Sequence, residues 1–155
     1  MTGLVRFLYL LALALWVGEV VCFSFVVAPA VFDVLGAPRA GDVVGAIFPR
    51  YYALGTGAGA VALAGALVLA RRATAPGWWT GAVVALTLGL AATLWAGRVV
   101  FPRAQLLRVA LQARGEAPAA DPAFRRAHRT AVALNGVTLL AGVVGLGLSA
   151  AALRQ

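Results

Sequence analysis

Long apolar stretches alternate with short polar interruptions along the chain, and this pattern predicts four transmembrane helices. The first stretch runs from Leu4 to Phe32. It ends where Asp33 to Asp42, carrying Gly36, Pro38 and Gly41, bring the charges and helix breakers of a short loop. A second stretch covers Val43 to Ala70, and Arg71-Arg72 with Pro76-Gly77 close it. Trp78-Trp79 then open a third as an interfacial aromatic anchor, and it continues to Phe101. Each stretch exceeds the ~20 residues that a helix needs to cross the hydrocarbon core.

From Pro102 to Ala127 the chain turns polar enough to leave the hydrocarbon. Leu106, Leu107, Val109, Ala110 and Leu111 are interleaved there by Arg103, Arg108 and Arg114, the pattern of a short interfacial helix. Pro118 and Pro122 break it, and the last apolar helix comes next. The expected fold is an all-α polytopic membrane protein, a single domain over residues 1–155. Its four-transmembrane-helix bundle comprises helices 4–32, 43–70, 78–101 and 127–153, with the interfacial helix between helices three and four.

Composition strengthens the membrane reading: 63% of residues are hydrophobic and only 12% charged, which excludes an ordinary soluble domain. A net charge of +8 would suggest nucleic acid in a soluble protein. Here every basic residue is an arginine at or near a helix end or in a loop, so the charge reads as topology, with the lipid bilayer as partner and no nucleic acid. Arg6, Arg71, Arg72 and Arg154 fall on one side and the other arginines on the side of loops one and three. The positive-inside rule then puts those loops in the cytoplasm and both termini outside. Ala28-Pro29-Ala30 imitates a signal-peptide cleavage site, but the apolar run passes through it to Phe32 and Glu19 interrupts it, so an uncleaved helix is expected. Cys22 is the only cysteine, which rules out an intramolecular disulfide.

Glu19 lies 13 residues from both Arg6 and Phe32, close to the bilayer midplane at ~1.5 Å per residue. An ionised group there costs about 3 kcal/mol, so it should face the bundle, pair, or be protonated. Arg50 opens helix two, Arg98 closes helix three and His128 opens helix four, and antiparallel threading brings all three to one rim. Taken singly, each arginine could snorkel to lipid phosphates. On helix four, His128, Ala131, Asn135, Thr138, Gly142, Gly145 and Ser149 recur at spacings of three and four and form one polar or small stripe. Helix one carries a comparable line through Glu19, Cys22, Val26, Pro29 and Asp33, where Pro29 leaves the carbonyl of Phe25 without its usual partner. Gly55 and Gly59 allow close approach of a neighbouring backbone, a packing signal and a route to homo-oligomers.

Soluble-type catalysis finds no support. There is one histidine, no Gly-x-Ser-x-Gly elbow, no phosphate-binding loop and no cysteine pair at zinc-ligand spacing, so neither an enzyme nor a bound metal or cofactor is expected. Two-histidine haem ligation within one subunit is excluded by the single His128.

Several motifs in order carry a family likeness. Trp16-Val17-Gly18, Phe25 through Phe32, Phe48-Pro49-Arg50-Tyr51-Tyr52, Phe101-Pro102-Arg103, and Phe124, His128 and Asn135 resemble the transmembrane protein 205-like family over nearly the whole chain. The resemblance implies a four-helix membrane fold in a bacterial inner (plasma) membrane, with Phe48 to Arg50, His128 and Asn135 matching the family's pattern. Bacterial members are largely of unknown function. The animal branch is associated with platinum-drug resistance and proposed export through sulfur-bearing residues. With only Met1 and Cys22 as sulfur sources, this chain departs from that pattern.

The leading expectation is a non-enzymatic, transport-like or small-ligand or ion-binding membrane protein, its site lined by Glu19, Arg50, Arg98, His128 and Asn135. Glu19 would compensate charge or accept a proton, Arg50 and Arg98 would hold an anionic group or balance Glu19, His128 would titrate near neutral pH and Asn135 would orient the bound species. One alternative is a structural or assembly module that binds lipids or a membrane partner. A second is a haem or quinone-binding protein.

Overall fold

The computed structural model describes residues 2–73 and 77–154, and all regular structure among them is helical. The α-helices are α1 (Thr2–Cys22), α2 (Ala28–Ala70), α3 (Gly77–Trp95), α4 (Phe101–Ala113) and α5 (Pro122–Ala152). π-helical segments at Phe23–Val27 and Ala96–Val100 join α1 to α2 and α3 to α4 without a break, and a 3-10 turn at Pro118–Ala120 precedes α5. Among the described residues there are therefore 3 continuous helical stretches long and apolar enough to cross a membrane, Gly3–Ala70, Gly77–Ala113 and Pro122–Ala152.

Asp33 to Asp42 is not the expected loop. Only Gly36 leaves helical geometry there, at φ 69° and ψ 161°, and without a Cβ it reverses the chain in a single residue. Pro38 stands in the first turn after the reversal, where its missing N–H would have had no partner anyway. The two arms of this stretch pack antiparallel: Tyr9 lies on Gly65, Trp16 on Gly59 and Glu19 on Gly55.

Nor does a separate interfacial helix form, because α4 prolongs α3 past Pro102. In the preceding π segment the Phe101 N–H bonds the Ala96 carbonyl, five residues back, and the Ala28 N–H bonds the Phe23 carbonyl in the same way before Pro29. A wide turn already breaks the regular ladder, so the proline next to it removes no donor the helix depends on. Both sites read Val-Val-x-Pro, at Val26 to Pro29 and Val99 to Pro102. The last helix begins at Pro122, earlier than expected, with the Asp121 carboxylate accepting from the Phe124 N–H at 2.8 Å. Pro76 and Met1 lie outside the described residues.

The elements close a ring: α1 packs on α2, α2 on α3, α3 on α5, and α5 on α1. In a bilayer, association rests on tight packing rather than on expulsion of water, and small residues allow it. A Cβ at Gly59 would stand 3.0 Å from the Trp16 ring, at Gly142 2.6 Å from Val17, and at Gly145 2.8 Å from Leu86. Gly55 and Gly59 are thus occupied within the chain. Trp79 is buried edge-on against Tyr9, with ring centroids 5.7 Å apart, while its neighbour Trp78 stays exposed as an anchor would.

Candidate functional site

In α1 the inward positions are Tyr9, Leu13, Trp16 and Val20, continued by Phe23. The π segment then adds a residue to the turn and rotates the helix beyond it. Cys22, Val26, Pro29 and Asp33, expected to share a face with Glu19, are all exposed. Lower down, Val17 packs against Gly142 of α5. Beyond Ser24 the first π segment and the start of α2 stand across a cavity of about 450 Å³ from α5, with Phe25 and Phe32 on one side and His128, Val132 and Gly136 on the other. The volume falls within the ~300–1,000 Å³ of small-molecule sites. A Cβ at Gly136 would meet nothing within 4 Å, and Phe25, Phe32 and Val132 are themselves exposed, so the cavity reaches the side of the bundle.

One wall is aromatic: Phe23, Phe48, Tyr52 and Phe101 line it and, together with Tyr51 outside the lining, pack with centroids 5.0 to 5.9 Å apart. The floor is polar. The Tyr51 hydroxyl donates to Asn135 Oδ1 at 2.7 Å, and Asn135 Nδ2 donates to Ser24 Oγ at 3.1 Å, so α2, α5 and the first π segment meet at one side chain.

Glu19 sits below that floor and does not line the cavity. Its Oε2 and the Trp16 indole nitrogen both face the space above Gly55, at 3.3 and 3.6 Å from where a Cβ would stand, with Thr93 alongside. Neither carboxyl oxygen and not the indole N–H has a hydrogen-bond partner among the described residues. Beside them the Thr93 and Thr138 hydroxyls lie 3.1 Å apart, and the Thr93 hydroxyl donates to the Gly89 carbonyl at 3.0 Å. Deeper still, the Tyr9 and Ser149 hydroxyls join α1 to α5 by a hydrogen bond.

The outer end is closed by Arg108, which is 8% exposed and belongs to the cavity lining. Its Nη2 donates to Asp42 Oδ1 and to the Pro38 carbonyl, each at 2.8 Å, and ties α4 to the arm beyond Gly36. The guanidinium lies across Gly41, where any Cβ would overlap it.

Of the expected site residues, the structure brings His128 and Asn135 together on the cavity. His128 is exposed at its rim and stacks on Phe124 at 6.4 Å. Arg50 is exposed and reaches only the Ala46 carbonyl of its own helix at 3.4 Å, and Arg98 is exposed as well. Neither contacts Glu19: the ion pairs among the described residues are Arg108 with Asp42 and Arg114 with Glu116. No group of three or more His, Cys, Asp or Glu side chains gathers among the described residues, and Cys22 is exposed.

Arg108, Asp42, Ser24 and Tyr51 are not marked as site residues by the sequence. A signal existed for Arg108. Ala104, Gln105, Leu107, Arg108 and Leu111 all turn inward to some degree at helical spacing, which marks Arg108 as part of an inward stripe rather than a solvated face.

Apolar, all-helical and built around a side cavity, the chain is in the class of small helical membrane proteins. Within that class it belongs to a family described as a domain of unknown function, DUF4149, matched over residues 11–113. The matched region contains both π segments and the Arg108–Asp42 pair, while His128 and Asn135 lie beyond it. It lends no separate support to the transmembrane protein 205-like name. No curated protein and no solved structure matches the chain.

Proposed function

We propose that this protein crosses the membrane four times and binds a small, largely apolar ligand in its side cavity, in a transport-like role without enzymatic chemistry. The observation that carries this reading is the cavity itself, about 450 Å³, aromatic on one wall and open sideways between exposed apolar residues that would face lipid acyl chains. Each arm on either side of Gly36 is long enough for one crossing, and α5 supplies another. The α3–α4 stretch of 37 residues measures ~55 Å against a hydrocarbon core of ~30 Å, so α4 extends to headgroup level. The arginine bias puts that end in the cytoplasm of a bacterial inner membrane, and the resemblance to transmembrane protein 205-like chains agrees with four crossings.

In this reading Asn135 orients the ligand from the floor and His128 guards the rim. Glu19, one tier below, takes up or compensates charge as the ligand moves, and the exposed Arg50 and Arg98 hold lipid phosphates on the side of loops one and three. A second reading, a structural module whose polar groups staple the helices, is favoured by the buried Arg108–Asp42 pair and the Tyr9–Ser149 bond.

The two separate on Gly136→Leu, which adds bulk at the opening, at a position where a Cβ would meet nothing within 4 Å. Native mass spectrometry of the protein in neutral detergent with added decanol should show a stoichiometric adduct on the wild type and at least a tenfold weaker one on the variant. No adduct on either would remove the ligand-binding reading.

A further inference from the structure

Resting on the cavity reading above, we infer that the ligand is a single-chain amphiphile with one anionic head, a carboxylate or a phosphate, and that Arg108 is the group that receives it. A guanidinium carries five N–H donors. Arg108 donates through Nη2 alone, and among the described residues neither Nη1 nor Nε has a partner, although the side chain is only 9% exposed. Its residue lines the cavity, whereas Asp42 does not and is 66% exposed. No acidic side chain is present in the lining, so the one permanent charge facing the cavity is positive.

Gln105 stands three residues before Arg108, hence on the same face of α4, and it too lines the cavity. Its amide nitrogen lies over Gly45, 2.8 Å from where a Cβ would stand, and it makes no hydrogen bond among the described residues. A guanidinium beside an amide forms a donor pair suited to the two oxygens of a carboxylate or phosphate. The remaining lining is largely apolar, with Phe23, Phe48, Phe101 and Leu139, and the polar side chains of the floor, Asn135 and Ser24, already bond each other. An acyl chain fits it, and the sideways opening gives such a chain a path from the bilayer.

The geometry also makes Asp42 a competitor. Its carboxylate occupies the same guanidinium that an anionic head would approach, so the pair works as a latch that ligand binding loosens.

The test compares decanoate, decyl phosphate and decanol on the full chain in neutral detergent, with adducts counted by native mass spectrometry. Decanoate or decyl phosphate should bind at least tenfold tighter than decanol, and whichever does so names the head group. Arg108→Gln should reduce the anion to the level of decanol. Asp42→Asn should tighten the anion at least threefold and leave decanol unchanged, while Asp33→Asn, the same charge change at an exposed site elsewhere, should do neither. If Arg108→Gln fails to fold, Asp42→Asn carries the test, since a purely structural Arg108 gives no gain in anion affinity there. Equal binding of all three amphiphiles, each lost in Gly136→Leu, would overturn the anionic head and leave the cavity reading intact. Absence of every adduct would remove that reading as well.

Discussion

The Tyr51 hydroxyl donates to Asn135 across 2.7 Å, and the same amide donates on to Ser24, so one side chain holds α2, α5 and the first π segment at a common level. Hydrogen bonds between membrane helices average ~0.6 kcal/mol each. Asn135→Leu should therefore lower stability by about 1 kcal/mol and Tyr51→Phe by about half that. Unfolding in mixed micelles would measure both, and the double variant should show a coupling of ~0.6 kcal/mol, because the two residues share one bond.

Gly89 is a seat rather than a spacer. A Cβ there would stand 2.9 Å from that of Ala141 and 3.1 Å from the Trp16 ring. Gly89→Val should cost ~1–3 kcal/mol through overpacking. Gly147, with nothing within 4 Å, is the control, and its change to Ala should be neutral or stabilise by up to ~1 kcal/mol. Thermal unfolding of the two variants side by side would decide it; an undisturbed Gly89→Val would contradict the packing described for Trp16.

Reversal of the chain depends on Gly36, whose φ of 69° and ψ of 161° lie in a region that side chains rarely enter. Gly36→Ala should destabilise by ~1–3 kcal/mol even though its Cβ would meet no neighbour. A matched change at Gly3, helical and equally open, should not. Equal melting temperatures for the two would show that the turn tolerates an ordinary residue.

Replacing Glu19 by Gln keeps the shape and removes the charge from a position where neither oxygen has a partner. The fold should be retained, with a melting temperature at or above that of the wild type, and decanol binding in the cavity should stay within about twofold, since Glu19 lies below the floor. Ligand movement across liposomes should fall if Glu19 compensates charge during transport. A variant that transports as well as the wild type would reduce Glu19 to a tolerated polar group.

Much of the architecture is legible in the sequence because apolar length and polar interruption answer directly to the bilayer. Helix ends are less so. Asp33 to Asp42 looks like a loop because it concentrates Gly, Pro and Asp, yet one glycine suffices to turn the chain and the rest stays helical. Pro102 looks like a stop because its amide is missing, yet the π turn before it absorbs the loss. The α5 stripe does mark the inward face, with Thr138, Gly142, Gly145 and Ser149 all buried. Sequence spacing speaks to the height at which the rim arginines stand, whereas the direction each points depends on local helical phase, which a single π segment shifts. Arg108 is overlooked for a related reason: its segment looks interfacial, so the helical spacing it shares with Ala104, Leu107 and Leu111 is given an inward meaning only once α4 is seen to continue α3.

The seats at Gly59, Gly89, Gly142 and Gly145 place the specification of the bundle in its smallest residues, where Trp16, Val17 and Leu86 meet backbone rather than side chain. Large outward residues such as Leu4, Phe7, Leu88 and Leu140 contact no such seat. The chain can therefore exchange one bulky surface residue for another as the surrounding lipid changes, provided those glycines stay fixed. Its outer coat is free to drift while the scaffold beneath it is not.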